Sequence, residues 1–191
     1  MGLTSLLENK KAVILDRWFN LVLETYPPDT TQFLCRQKDS FANPVGGNIR
    51  EGLSAALTEF IASFSSTSSG RLDTEGLKTG LDRVIRIRAV QNFTPSQAVG
   101  FVRDLKAVIK EVLGREAETA GGAGEWAALE EAMDELLFLA FDLYSACREQ
   151  LHEIRIKDEQ RRMHLLLKRA KMISDDPEPE KDRAGRDRGG L

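Results

Sequence analysis

The chain has 191 residues, 41% hydrophobic and 30% charged, with 27 Lys and Arg against 30 Asp and Glu for a net charge of -3. That length fits one domain with an appendage, and the composition fits a helix-rich globular protein. The slightly acidic balance speaks against a general nucleic-acid-binding surface, and no run of about 18 apolar residues is present to span a membrane.

The opening MGLTSLLENKKAV lacks the basic-then-apolar order of a secretory signal. Leu6 stands where a myristoylation site wants Ser or Thr. No segment alternates with period two, so no strand is expected. A first helix is expected from about Leu3 to Glu24, with Ile14, Trp18, Leu21 and Val22 at helical spacing. Tyr26-Pro27-Pro28 stops it, because proline removes a donor and clashes with the preceding turn. A short segment around Thr30 to Lys38 follows, with Phe33 and Leu34 as its apolar contacts. The Asn-Pro and Gly-Gly pairs mark Phe41 to Asn48 as a loop. The next helix, from about Val45 to Phe64, carries Ile49, Leu53, Leu57, Phe60, Ile61 and Phe64 on one face. It ends at the Ser/Gly-rich SFSSTSSG.

Asp73 or Thr74 caps a helix that reaches Gln91, striped by Leu77, Leu81, Val84 and Ile85. At Gln91-Asn92-Phe93 the pattern stops, and it restarts at once. Thr94 suits an N-cap, Pro95 the first helical position, and Gln97 the third helical position, where a capping box wants Glu or Gln. The restarted helix runs to about Glu118 with Ala98, Val102, Leu105, Ile109 and Val112 inward, and Gly121 to Gly124 form a loop.

From Glu125 to about Ile173 there is neither Pro nor Gly. An unbroken helix of that length would extend roughly 70 Å, more than a domain of this size accommodates. Leu136, Leu137, Phe138, Ala140, Phe141, Leu143 and Tyr144 make its middle apolar on nearly every side, the mark of a buried helix. Leu129, Met133, Leu136, Ala140, Leu143, Cys147 and Ile154 also follow a seven-residue spacing. Beyond Leu151 the sequence EIRIKDEQRRMHLLLKRAK is charged, so the distal part is expected to leave the globule as a connector or a dimer element. Residues 1–172 therefore read as one helical domain. Residues 173–191 read as a disordered charged tail, lacking apolar residues to bury.

No catalytic pattern stands out. His152 and His164 are the only histidines and lie twelve positions apart on the final helix, so no metal or cofactor is expected. The absence of histidine before residue 152 argues against haem. A di-iron site needs Glu-x-x-His on two helices and this chain carries it once, at Glu149 to His152, so Glu130/Asp134 and Glu131/Glu135 read as a solvated acidic face. Gly121 to Gly124 precede a helix, but the acidic residues that follow would repel phosphate. Cys35 and Cys147 form no CxxC and read as buried thiols of a cytoplasmic protein. Arg83, Arg86, Arg88, Arg103, Lys106 and Lys110 cluster around the join at Phe93. A DNA-reading helix starting at Pro95 would present its first arginine only at Arg103, on the third turn. Arg86 and Arg88 are better used pairing with acidic groups of the final helix, or flooring a pocket for an anionic ligand.

Three separated blocks carry a family resemblance: FANPVGGNIREGL, VIRIRAVQNFTPSQAVGFVRDLK and FDLYSACREQLHEIRIKDEQRR. Together they resemble the RsbT co-antagonist protein RsbRD N-terminal domain family over roughly Leu6 to Arg169. The resemblance implies an all-α fold, globin-like or a related helical bundle, with a long C-terminal helix. It implies a haem-free sensory input domain of the stressosome type, which dimerises and joins through a helix to a phosphorylatable STAS output domain. Residues 170–191 are too few for such a domain, so a signal would have to pass to a partner in trans. Stand-alone chains of this kind resemble those of sulfate-respiring bacteria, with a link to membrane complexes for sulfite reduction.

The leading expectation is a non-enzymatic regulatory or sensor module, a homodimer with a protein partner. Arg86, Arg88, Gln91 and Ser96 around the corner would bind ligand or partner, with Trp18 and Tyr144 as pocket walls. Arg161, Arg162, Leu165, Leu166, Lys168 and Arg169 would form a docking helix. A helical adaptor of a larger redox complex, touching a membrane peripherally through that complex, is the second reading. A DNA-binding regulator is the third, although no nucleic acid is expected as partner.

Overall fold

The computed structural model describes residues 2–27, 30–31, 43–66, 72–91, 93–120 and 122–170. Among them the regular elements are five α-helices, with no strand. The first, α1, spans Leu3–Glu24 and buries Leu3, Leu6, Leu7, Ile14, Trp18, Val22 and Leu23. These recur every three or four residues, the spacing that lines one helical face. Gly2 supplies no side-chain cap. The carboxylate of Glu125 does so instead, accepting the Leu3 N–H at 2.9 Å, where negative charge favours a helix start. Thr25 closes α1 by donating to the Val22 carbonyl at 2.7 Å. The expected segment at Thr30 to Lys38 lies outside the described residues but for Thr30 and Thr31, so Cys35, Phe33 and Leu34 are not placed.

Helix α2 spans Pro44–Ser66, which corrects the loop reading of residues 44–48. Asn43 is the N-cap, its Oδ1 accepting the Gly46 N–H at 2.9 Å, and Pro44 takes the first helical position, where its missing N–H costs nothing. Asn-Pro here is a helix start. Helix α3, Thr74–Val90, is capped by Asp73, whose side chain accepts from the Glu75 N–H at 3.1 Å. Helix α2 packs closely on α3 because small residues meet. A Cβ placed on Gly80 would stand 2.5 Å from the Ala56 nitrogen and 3.0 Å from the Gly52 carbonyl oxygen.

Helix α4, Pro95–Ala120, opens on the expected capping box. Gln97 N–H donates to Thr94 Oγ1 at 3.3 Å, and Thr94 N–H donates to Gln97 Oε1 at 3.0 Å. Gly114 interrupts it at φ 46, ψ -134, a conformation that favours glycine. Helix α5 is assigned as Gly122–Arg169, which corrects the loop reading for Gly122 to Gly124.

The chain divides into two units, Met1–Leu151 and His152–Leu191. The first has one contiguous core, to which α5 contributes Leu129, Ala132, Met133, Leu136, Ala140, Tyr144 and Cys147. Most of the seven-residue pattern is thus used inside the chain's own core. Phe138 and Phe141 are 70% and 49% exposed, which corrects the reading of this stretch as buried on every side. The helix packs through one face only, and both phenylalanines lie off it. In the second unit the described residues complete α5, with exposed Ile154, Ile156, Met163, Leu165 and Leu166. The tail at 173–191 lies outside the described residues.

Candidate functional site: the corner between α3 and α4

Arg88 stands in the last turn of α3 and is 0% exposed. Helical spacing puts it on the same face as Leu77, Leu81, Val84 and Ile85, so the fold carries its charge inward. The guanidinium carbon sits 4.4 Å from the Phe93 ring centre, 5.7 Å from Tyr26 and 5.8 Å from Phe101. Tyr26 meets Phe93 edge-on at 5.4 Å. This three-ring box attracts the cation through the negative ring faces. Nη2 donates to Thr25 Oγ1 at 3.1 Å and to the Gln97 carbonyl at 3.0 Å.

Neither of those acceptors is charged, and Arg88 Nε and Nη1, Tyr26 Oη and Gln91 Oε1 are buried without hydrogen-bond partners. Burial pulls the Arg88 guanidinium below its usual ionisation range, opposed by Tyr26 and Asp104. Burial also raises the Tyr26 phenol, although the Arg88 charge and the proximity of Gln91 act the other way. Tyr26 and Arg88 are therefore close enough to influence each other's ionisation without achieving normal hydrogen-bond geometry. On the outer side of the box lies a cleft of about 360 Å³, lined by Thr25, Phe93, Ser96, Gln97, Phe101 and Arg103, among others.

The candidate residues are only partly united. Arg88 and Gln91 meet at the box. Ser96 is exposed on the cleft, 3.2 Å from Thr94 Oγ1. Arg86 is exposed and pairs with Asp82 of its own helix at 2.5 Å. The expectation that Arg86 and Arg88 pair with the final helix is thus corrected. That role falls to Lys106 and Lys110, which reach Glu130 at 3.8 and 2.8 Å, with Asp134 3.5 Å from Lys106. Glu130 and Asp134 are therefore not merely a solvated face, and the hydrogen bond from Lys110 holds the Glu130 carboxyl below the usual range.

Trp18 is wholly buried, stacks on Phe101 at 5.9 Å and donates Nε1–H to the Phe101 carbonyl at 2.7 Å. It supports the box from behind and does not line the cleft. Tyr144 is buried on the core face of α5 and does not line the cleft either. Arg161, Arg162, Leu165, Leu166, Lys168 and Arg169 all lie exposed on the last turns of α5. Sequence reading missed Thr25, Tyr26, Phe93 and Phe101 as partners of Arg88. The one available signal was an arginine on an apolar helical stripe, flanked in sequence by a phenylalanine.

Among the described residues no group of His, Cys, Asp and Glu could hold a metal ion, and no helix is long and apolar enough to cross a membrane. A family model described as RsbT co-antagonist protein rsbRD N-terminal domain matches residues 12–158. An uncharacterized protein of Archaeoglobus fulgidus is 29% identical over 93 residues, covering 48% of this chain and 58% of that protein's length. No solved structure matches the chain.

Proposed function

Since the chain belongs to the RsbT co-antagonist protein rsbRD N-terminal domain family, we propose that it is a non-enzymatic signalling module of the stressosome-input type that acts by binding a protein partner through the C-terminal turns of α5. The observation that carries this reading is the exposure of Met163, Leu165 and Leu166 among Arg161, Arg162, Lys168 and Arg169. Exposed leucines on a basic helix are what an acidic, apolar-floored groove accepts. The uncovered rings of Phe138 and Phe141 support a second contact, between two copies of the chain.

The test compares tagged wild type with a Leu165→Glu/Leu166→Glu variant, purified from native cells. Both leucines are exposed, so the melting temperature stays within about 1 °C, while co-purifying protein is lost. The same partners recovered in equal amount with both forms would refute docking through this helix. Sedimentation of wild type and a Phe138→Lys/Phe141→Lys variant reads the homodimer separately. A helical adaptor for a larger redox complex would use the same docking face, and the captured partner's identity separates it from a signalling protein. The DNA-binding reading gains no support from the corner. Arg83, Arg86, Arg103, Lys106 and Lys110 all engage carboxylates, and Arg88 is buried.

A further inference from the structure

A buried guanidinium without a counter-charge needs a reason. Ions taken out of water are costly unless a partner charge and well-formed hydrogen bonds compensate. A guanidinium has five N–H donors. At Arg88 two bonds leave from Nη2, while the one N–H of Nε and the two of Nη1 find no acceptor among the described residues. Asp104 favours the cation electrostatically but is engaged by Arg103 at 3.0 Å. The Phe93 and Phe101 rings supply no acceptor, and the Tyr26 hydroxyl lies near enough to favour the cation without making a well-formed bond to it.

The neighbouring orphaned groups are of a kind an anion could use. Tyr26 Oη, with its residue 8% exposed, has an O–H to donate. The Gln91 amide presents Oε1 here and offers its N–H₂ instead if it turns over. Tyr26 and Gln91 both lie close enough to the guanidinium or to each other to share one charged guest with it. Phe93, half-buried, lies against the guanidinium and also lines the cleft of about 360 Å³, which Arg88, Tyr26 and Gln91 themselves do not line. That volume is at the small end for a ligand site. Phe93 and Phe101 offer apolar surface, and Asp104 at the rim opposes a second negative charge.

We propose that this corner binds a small organic monocarboxylate, its carboxylate held by Arg88, Tyr26 and the turned Gln91 amide, and its apolar body against Phe93 and Phe101. Phe93 swings aside to admit it. The inference rests on the signalling reading only in treating the corner as an input, and it does not depend on docking by α5.

The experiment is isothermal titration of the full-length chain with sodium benzoate, with sodium chloride and inorganic phosphate at matched ionic strength as controls. Saturable benzoate binding, absent with chloride and phosphate, is expected. Tyr26→Phe weakens it about tenfold by removing one donor to a charged group. Arg88→Gln abolishes it, and if that variant does not fold, Tyr26→Phe decides. Phe93→Ala opens the way and preserves the anion contacts, so benzoate still binds. Failure of wild type and Phe93→Ala to bind benzoate, phosphate binding in its place, or unchanged affinity in Tyr26→Phe overturns the proposal. None of these outcomes bears on partner capture by α5, so the two readings fail separately.

Discussion

Replacing glycine by alanine inside a helix normally stabilises it by about 1 kcal/mol, because alanine loses less backbone entropy on folding. At Gly80 the sign reverses. The added Cβ would stand 2.5 Å from the Ala56 nitrogen, 2.9 Å from its Cα and 3.0 Å from the Gly52 oxygen. All three are backbone atoms of α2, a helix fixed by buried Leu53, Leu57 and Phe60, so no flexible side chain can yield. Overpacking costs about 1–3 kcal/mol, and a backbone clash this close belongs at the upper end. Offset by the helical gain, Gly80→Ala loses about 2 kcal/mol. Gly100, inside α4, has nothing within 4 Å of its added Cβ, so Gly100→Ala keeps the gain of up to about 1 kcal/mol. For a domain of this size each 1 kcal/mol moves the melting temperature by about 2–4 °C. Melts followed by far-ultraviolet circular dichroism should show Gly80→Ala falling and Gly100→Ala rising. A Gly80→Ala protein melting at or above wild type would refute the close crossing of α2 and α3.

Trp18→Phe removes the bond to the Phe101 carbonyl and leaves a void where the indole stacked. It should cost about 2–4 kcal/mol in denaturant unfolding, and a loss under 1 kcal/mol would contradict the buried placement. Tyr26 gives a pH signature. Burial raises its folded ionisation range, while the unfolded phenol ionises near pH 10. The stability this contributes is complete below about pH 10 and is lost as pH rises from there through the raised folded value. Tyr26→Phe should flatten that part of the alkaline decline and remove a late-titrating component of the phenolate absorbance. An unchanged alkaline slope in the variant would rule the linkage out.

The legible parts of the sequence were local. Thr94, Pro95 and Gln97 lie within one turn of one another, so their capping chemistry could be read without knowing what surrounds them. Asp73 was legible for the same reason. Asn43-Pro44 was ambiguous, because the same pair opens a loop or a helix, and the Gly46 N–H that decides it lies two residues beyond the pair. The box around Arg88 was not legible at all. Its rings come from positions 26, 93 and 101, and periodicity reports which face a residue is on, not what opposes it. Glu125 capping α1 across 122 positions is beyond any local rule. Phe138 and Phe141 misled because apolar composition around a helix suggests burial all round, whereas the chain's own core covers the opposite face of α5.

Arg88 also joins helix ends. From the last turn of α3 it holds Thr25, just past α1, and the Gln97 carbonyl in the first turn of α4. Arg148 of α5 donates to the next carbonyl along, that of Ala89, at 3.0 Å. Four helices are thereby knotted within two residues of α3. The two side-chain ties are therefore coupled: anything that draws the guanidinium away from Thr25 also takes it from the Gln97 carbonyl, and does so one residue from the carbonyl that holds Arg148 of α5.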